Sequence, residues 1–432
     1  MIEIILFFIF IVLVLLRPRV FPYFVLIYFF AQGILGAYYF QDVKVTFGHI
    51  NVFPIDLMNL IATIYCLLYF VKLATNYEFN KQNCKATKSI ALVYLGFILF
   101  LVPKFFMGYV DGLAFDSVIR AFISSTQILY FYIPLIIFNN IKQLKRLLYF
   151  TVILALIFPL CQPFLIHSEG TQYILKGQGT FRLGYGDANV LLAVGALALF
   201  SFEYKKYLTF LPLSGIMMLA HRSGYIAIVL AFLALSFLQG KKFKTMLIMG
   251  VSAVLMIGML YAVQSFTNIN ILEKNIGRAE QTFENTGTTK ARLGTIPIIF
   301  EEFLKRPFTG LGLKEANEMT KKSNDAHFFN IMHTHNFILS SIVATGLIGT
   351  IFLFTLIIKS WRAAYKLARS SEFKAAGVFL FSYLVFFIVY SVMNTTLESS
   401  GYILWFTSGI TFWLLNAYEK TKEQVKLSMV SP

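Results

Sequence analysis

The sequence predicts an all-α fold: a polytopic transmembrane helix bundle of about 12–13 membrane helices, with one large extracytoplasmic loop that contains short helices. Three observations predict it. First, 58% of the 432 residues are hydrophobic, only 13% are charged and the mean hydropathy is +0.71. Soluble domains hold about 25% charged residues and about 45–50% apolar ones. Second, apolar runs long enough to cross a bilayer recur along the whole chain. Third, Lys and Arg are concentrated in alternate connections between those runs. Together these exclude a soluble enzyme, a disordered chain and a nucleic-acid-binding module. The chain reads as a single membrane domain over 1–432, with the loop at 265–335 inside it.

The runs fall at 2–16, 20–40, 52–72, 89–110, 117–138, 147–166, 188–202, 206–220, 224–239, 243–264, 336–358, 376–394 and 401–417. In the first, the apolar stretch precedes Arg17-Pro-Arg19. A secretory signal has its basic residues ahead of the apolar stretch and a small-residue cleavage site behind it. The reversed order predicts a retained membrane helix. The first, seventh and eighth runs are short. Internal Pro and Gly are acceptable in a bundle where neighbours satisfy the freed backbone groups. Cys66, Cys84 and Cys161 have no metal-knuckle or disulfide spacing and are expected to be idle thiols.

Twenty-two Lys and Arg lie in the connections after the odd-numbered runs, from Arg17 and Arg19 to Lys420, Lys422 and Lys426. The intervening short connections hold five: Lys44, Lys104, Lys176, Arg182 and Arg222. Basic connections face the cytoplasm, so the C-terminus is expected inside. The net charge of +16 is then mainly topology and attraction to anionic membrane lipids, with no nucleic-acid partner.

The connection 265–335 is about seventy residues long and is expected outside. A long connection in a compact domain is usually functional. Within it, 288–304 predicts an amphipathic helix capped by Thr288 or Thr289, with Ile296, Ile299, Phe300 and Phe303 on one face. Arg306-Pro307 ends that helix, and Phe308-Thr309-Gly310-Leu311-Gly312 predicts a turn.

Few ionisable groups lie at the expected outer face, where each is a functional candidate. Arg222 sits in the tight connection His221-Arg222-Ser223-Gly224, between two apolar runs that leave it little room to reach water. An arginine there suits phosphate oxygens, as does Arg292 near the start of the loop helix. The alternatives are a helix-end salt bridge for Arg222 and a solvated face for Arg292. Arg182 lies in the glycine-rich stretch 179–189, where backbone can approach a ligand closely. His335, before Asn336 at the start of the eleventh run, can accept a proton at neutral pH. No metal site is expected, because no third ligand stands at a suitable spacing from His333 and His335.

The pattern His335-Asn336, nine residues, Gly346, two residues, Gly349 resembles the signature that follows the large periplasmic loop of the O-antigen ligase family, which also includes O-antigen and exopolysaccharide polymerases. Arg222-Ser223-Gly224 resembles the family's arginine hairpin, although the usual order is Ser-Arg-Gly. Arg292 followed by Pro307 and Gly310-Leu311-Gly312 resembles its loop pattern, and 181–189 resembles a segment opening a central helix at Asn189. The resemblance covers roughly 175–350 and implies glycan transfer from a polyprenyl diphosphate carrier without a cofactor. His335, Arg222 and Arg292 would be catalytic, and Arg182, Asn189 and Asn336 would bind substrate. The partners implied are the polyprenyl-diphosphate-linked glycan donor and a glycan or lipid A-core acceptor. The location implied is the bacterial cytoplasmic (inner) membrane, with the site facing the periplasm. The competing expectation is a transporter such as a lipid-linked glycan flippase, which would place polar groups at mid-membrane in broken helices.

Overall fold

The computed structural model describes residues 17–35, 45–47, 50–52, 54–110, 126–167, 188–202, 206–219, 222–240, 242–267, 297, 300, 301, 303–311, 337–392 and 396–430. The first predicted helix, at 2–16, lies outside them. The later predicted runs are helical over most of their described residues, although Val52, at the start of the third, is in a strand. Among the described residues, five helices are long and apolar enough to cross a membrane: Asp56–Thr75, Lys85–Lys104, Ile141–Phe164, Ser341–Ala368 and Lys374–Val392. Shorter apolar helices include Pro18–Ala31, Thr126–Ile137, Ala188–Ser201, Ser223–Gln239 and Gly250–Ser265.

Three departures from the expected elements have local causes. The eleventh helix runs on to Ala368, because Ala363, Ala364, Leu367 and Ala368 keep an apolar face buried beyond the membrane run. The last helix, Thr396–Val430, likewise continues into a polar tail of good helix formers. The end of the fifth run is a buried 3-10 turn, Thr126–Phe131, followed by the short helix Tyr132–Ile137. A two-stranded antiparallel hairpin, Val45–Phe47 with Ile50–Val52, adds a small sheet to the helices. Its β-branched and aromatic residues fit a strand.

The contacts group into two compact units. The first comprises 1–58, 137–284 and 381–389. At its centre, helix Ala188–Ser201 is buried over almost its whole length. Small residues let its neighbours close in. A Cβ on Gly195 would lie 2.2 Å from that of Ala155, and one on Gly33 would lie 2.9 Å from that of Ala188. Where lipid removes the hydrophobic drive between helices, such close packing is a main source of association. Lys142, Lys145 and Arg146 lie at the start of helix Ile141–Cys161, whereas Phe158 near its other end packs at Gly33, beside Ala188. Helix Ala188–Ser201 runs back from there towards Lys206, whose ammonium lies 5.3 Å from the Phe200 ring centroid. One end of this unit is therefore basic, and Ala188-Asn189 lies at the other.

The second unit comprises 59–136, 285–380 and 390–432. Helices Lys85–Val110 and Phe337–Ala368 run antiparallel and pack together: the Phe352 ring lies 6.3 Å from that of Phe97 and 6.2 Å from that of Phe100. Three basic connections gather at one end. Lys366 pairs with Glu419 and lies over the Tyr418 ring. Asn416 accepts from the Cys84 backbone N–H at 3.0 Å and from Thr87 Oγ1 at 2.6 Å, and donates to Asn83 Oδ1 at 3.1 Å. From Lys366 back to Gly346 is about 30 Å of helix, close to the hydrocarbon thickness of a bilayer. The turn that precedes the eleventh helix packs at that far end.

Candidate functional site

Two of the sequence motifs meet through backbone in the second unit. The described residues from 297 to 305 are helical, in agreement with the predicted loop helix, and the chain then turns at 306–311. Gly310 N–H donates to the Arg306 carbonyl at 2.8 Å and closes that turn. Helix Phe337–Ala368 breaks at Gly346, whose φ of 64° and ψ of −169° are open essentially to glycine alone. A regular helix bonds the N–H of residue i to the carbonyl of i−4. At the break, Leu347 N–H instead donates to the Pro307 carbonyl at 2.9 Å, and Ile348 N–H to the Phe308 carbonyl at 3.1 Å. The Val343 carbonyl receives the Leu311 N–H at 2.9 Å. The turn thus takes up the groups the break releases.

Both motif glycines are required by this exchange. Gly310 also has a positive φ, of 70°. A Cβ on Gly346 would lie 2.4 Å from the Phe308 carbonyl oxygen, and one on Gly310 would lie 2.5 Å from that of Ala344. Gly349 serves differently: its bare Cα makes room for Thr345 and for Phe100, whose Cε1 would be 2.9 Å from an added Cβ. Leu311 and Val343 bury against each other beneath the junction, with Phe303 and Leu339 packed on them.

Gly346→Ala is expected to lower stability by at least the ~1–3 kcal/mol of backbone strain at such a position. The steric clash adds to that. Gly258→Ala is the control, since an added Cβ meets nothing within 4 Å there. It should be neutral or stabilising, because alanine exceeds glycine in a helix by about 0.5–1 kcal/mol. Thermal unfolding of both purified variants checks this, and equal unfolding temperatures would contradict the junction.

The first unit holds the other described part of the site. Helix Phe210–Met218 is capped by Leu219, whose N–H donates to the Gly215 carbonyl at 3.1 Å. The next helix starts at Arg222, so the connection is as tight as the sequence predicted. Tyr225 Oη donates back to the Met217 carbonyl at 3.0 Å and ties the two helices. Asn189 is fully buried at the start of helix Ala188–Ser201. Its Oδ1 lies 2.7 Å from where a Cβ on Gly224 would stand. Two candidates chosen separately, Asn189 and the Arg222-Ser223-Gly224 hairpin, are thus neighbours in space. The side chain of Arg222 lies outside the described residues, as do Arg182, Arg292, His335 and Asn336.

A model of the O-antigen ligase family matches residues 207–354. Over this segment the chain is similar to the O-antigen ligase family. It starts one residue into the 3-10 turn before helix Phe210–Met218 and ends eight residues beyond the break at Gly346. Arg222, Arg292, His335, Gly310 and Gly346 all fall inside the O-antigen ligase segment, and Asn189 and Arg182 precede it. No curated protein sequence matches the chain at a significant level. The match implies a membrane glycosyl-transferring enzyme of the O-antigen ligase or polymerase type.

By sequence, Lys104 is one of five charges in the non-basic connections. In the structure it is 2% exposed near the end of helix Lys85–Val110, and its ammonium donates to the Thr309 carbonyl of the turn. The available signal was a lysine after Pro103 inside an apolar run. An ionisable group there is costly and rarely idle.

Proposed function

We propose that this protein transfers a glycan from a polyprenyl diphosphate carrier to an acceptor hydroxyl at the outer face of the cytoplasmic membrane. The observation that carries the reading is the O-antigen ligase match, which contains Arg222, Arg292 and His335 together. The exchange at Gly310 and Gly346 supports it, because it joins the loop that contains Arg292 to the helix that His335 and Asn336 lead into.

The acceptor oxygen attacks the anomeric carbon, and the bond from that carbon to the diphosphate oxygen breaks. The leaving diphosphate departs with the electron pair, and negative charge grows on it. Arg222 and Arg292 face that charge with preorganised donors, the kind of term that dominates many enzymes. His335 takes the acceptor's proton, a role worth typically about 10²–10⁴ in rate. Arg182, Asn189 and Asn336 hold the donor and acceptor.

The test uses the purified protein in lipid, a polyprenyl-diphosphate-linked glycan, an acceptor glycan and EDTA. The account expects a lengthened or transferred glycan at an undiminished rate. A sharp loss in EDTA that Mg²⁺ or Mn²⁺ restores would move the charge neutralisation from arginine to a carboxylate-bound metal. Movement of the intact donor across the bilayer without transfer would favour the flippase reading.

A further inference from the structure

Lys104 precedes the O-antigen ligase segment by about a hundred residues, yet its side chain reaches the junction that segment builds. Its partners among the described residues are the Thr309 carbonyl, Met107 Sδ at 3.7 Å and the Phe100 ring, whose centroid is 5.4 Å away. A buried ammonium is costly unless it is hydrogen-bonded. Here the charged donor goes to the backbone of a turn rather than to a carboxylate.

Thr309 stands between the two residues that matter most in that turn. Phe308 supplies the carbonyl that receives Ile348 N–H, and Gly310 faces Gly346. Phe100, one helical turn before Lys104, closes on Gly349. The same helix therefore grips the turn through Lys104 and the eleventh helix through Phe100. A charge-assisted hydrogen bond is roughly twice as strong as a neutral one.

We infer that Lys104 is a positioning residue for the transfer reaction: it holds the 306–311 turn against the break at Gly346 and so sets the position of the helix start at Phe337, which His335 precedes by two residues in sequence. The inference rests on the reading of His335 as the base. The lever is long. Phe337 lies nine residues before Gly346, about 14 Å of helix. A tilt of about 5° at the break displaces that end by about 1 Å, and a 1 Å misplacement of a reacting group can cost about 100-fold in rate.

The experiment measures single-turnover transfer by the full-length protein, as Lys104→Met and Lys104→Gln beside wild type, with separate donor binding. Rates are taken per donor-binding site, so misfolded protein drops out of the comparison. Lys104→Met, similar in size but without a donor, should be slower by about 10- to 100-fold with donor affinity unchanged. Lys104→Gln keeps a shorter, neutral N–H donor and should fall between. If Lys104→Met does not accumulate, the intermediate rate of Lys104→Gln is the test. A wild-type rate in either variant, with His335→Ala inactive, overturns this inference and leaves the base in place. A parallel loss of donor affinity overturns it too, because Lys104 would then hold the donor. Normal transfer in His335→Ala removes the base itself.

Discussion

His335→Ala is expected to lose transfer by about 10²–10⁴-fold while donor binding survives. In the proposed reaction the base serves the acceptor and the arginines serve the donor, so the two functions should separate. His335 is preferred over His333 because it stands next to the helix that starts at Phe337 and is described through the break at Gly346. Anchoring by a helix fixes a catalytic group better than a loop does. His333→Ala should cost much less. Single-turnover assays of both variants beside a donor-binding measurement check this. A dead His333→Ala with a normal His335→Ala would move the base by two residues, and activity in both would remove histidine from the reaction.

Arg222→Ala and Arg292→Ala are each expected to reduce transfer severely, by about 10²–10³-fold if each is comparable to one donor of an oxyanion hole. The proteins should still insert and accumulate. Lysine at either position should rescue only partly, because an ammonium is a point charge and cannot present two parallel donors to a phosphate. Arg222 starts helix Arg222–Gln239. In the proposed reaction the positive end of that helix adds to the attraction for the diphosphate. Transfer rates with saturating donor, set beside membrane abundance, measure the effect. Full activity in both Arg222→Ala and Arg222→Lys would take Arg222 out of the mechanism.

The helices were legible because membrane burial demands long apolar runs, and run length survives in sequence whatever the tertiary contacts are. The ends were less so. The extension to Ala368 depends on which face of the helix finds a partner, and the 3-10 turn at Thr126–Phe131 depends on Gly409, where an added Cβ would lie 2.2 Å from the Phe131 carbonyl oxygen. The glycine spacing in the signature was visible, but its reason was not. Gly310 and Gly346 matter as a pair facing each other across 36 positions of sequence, and the bonds that force the pairing run through backbone. Asn189 and Gly224 each lie in a sequence motif, whereas their closeness depends on helix packing. Lys104 was the hardest to read. Its partner Thr309 is 205 residues away and contributes a carbonyl, which carries no sequence identity.

In the proposed reaction the carrier leaves as a diphosphate when the glycan moves. The most direct measurement of this is the stoichiometry of polyprenyl diphosphate released against glycan transferred, in a single turnover of purified wild-type protein with EDTA present. The expected result is one polyprenyl diphosphate for each glycan transferred, and a loss of both products together in Arg222→Ala, Arg292→Ala and His335→Ala. Transfer without release of the diphosphate, or release of the monophosphate in its place, would contradict it.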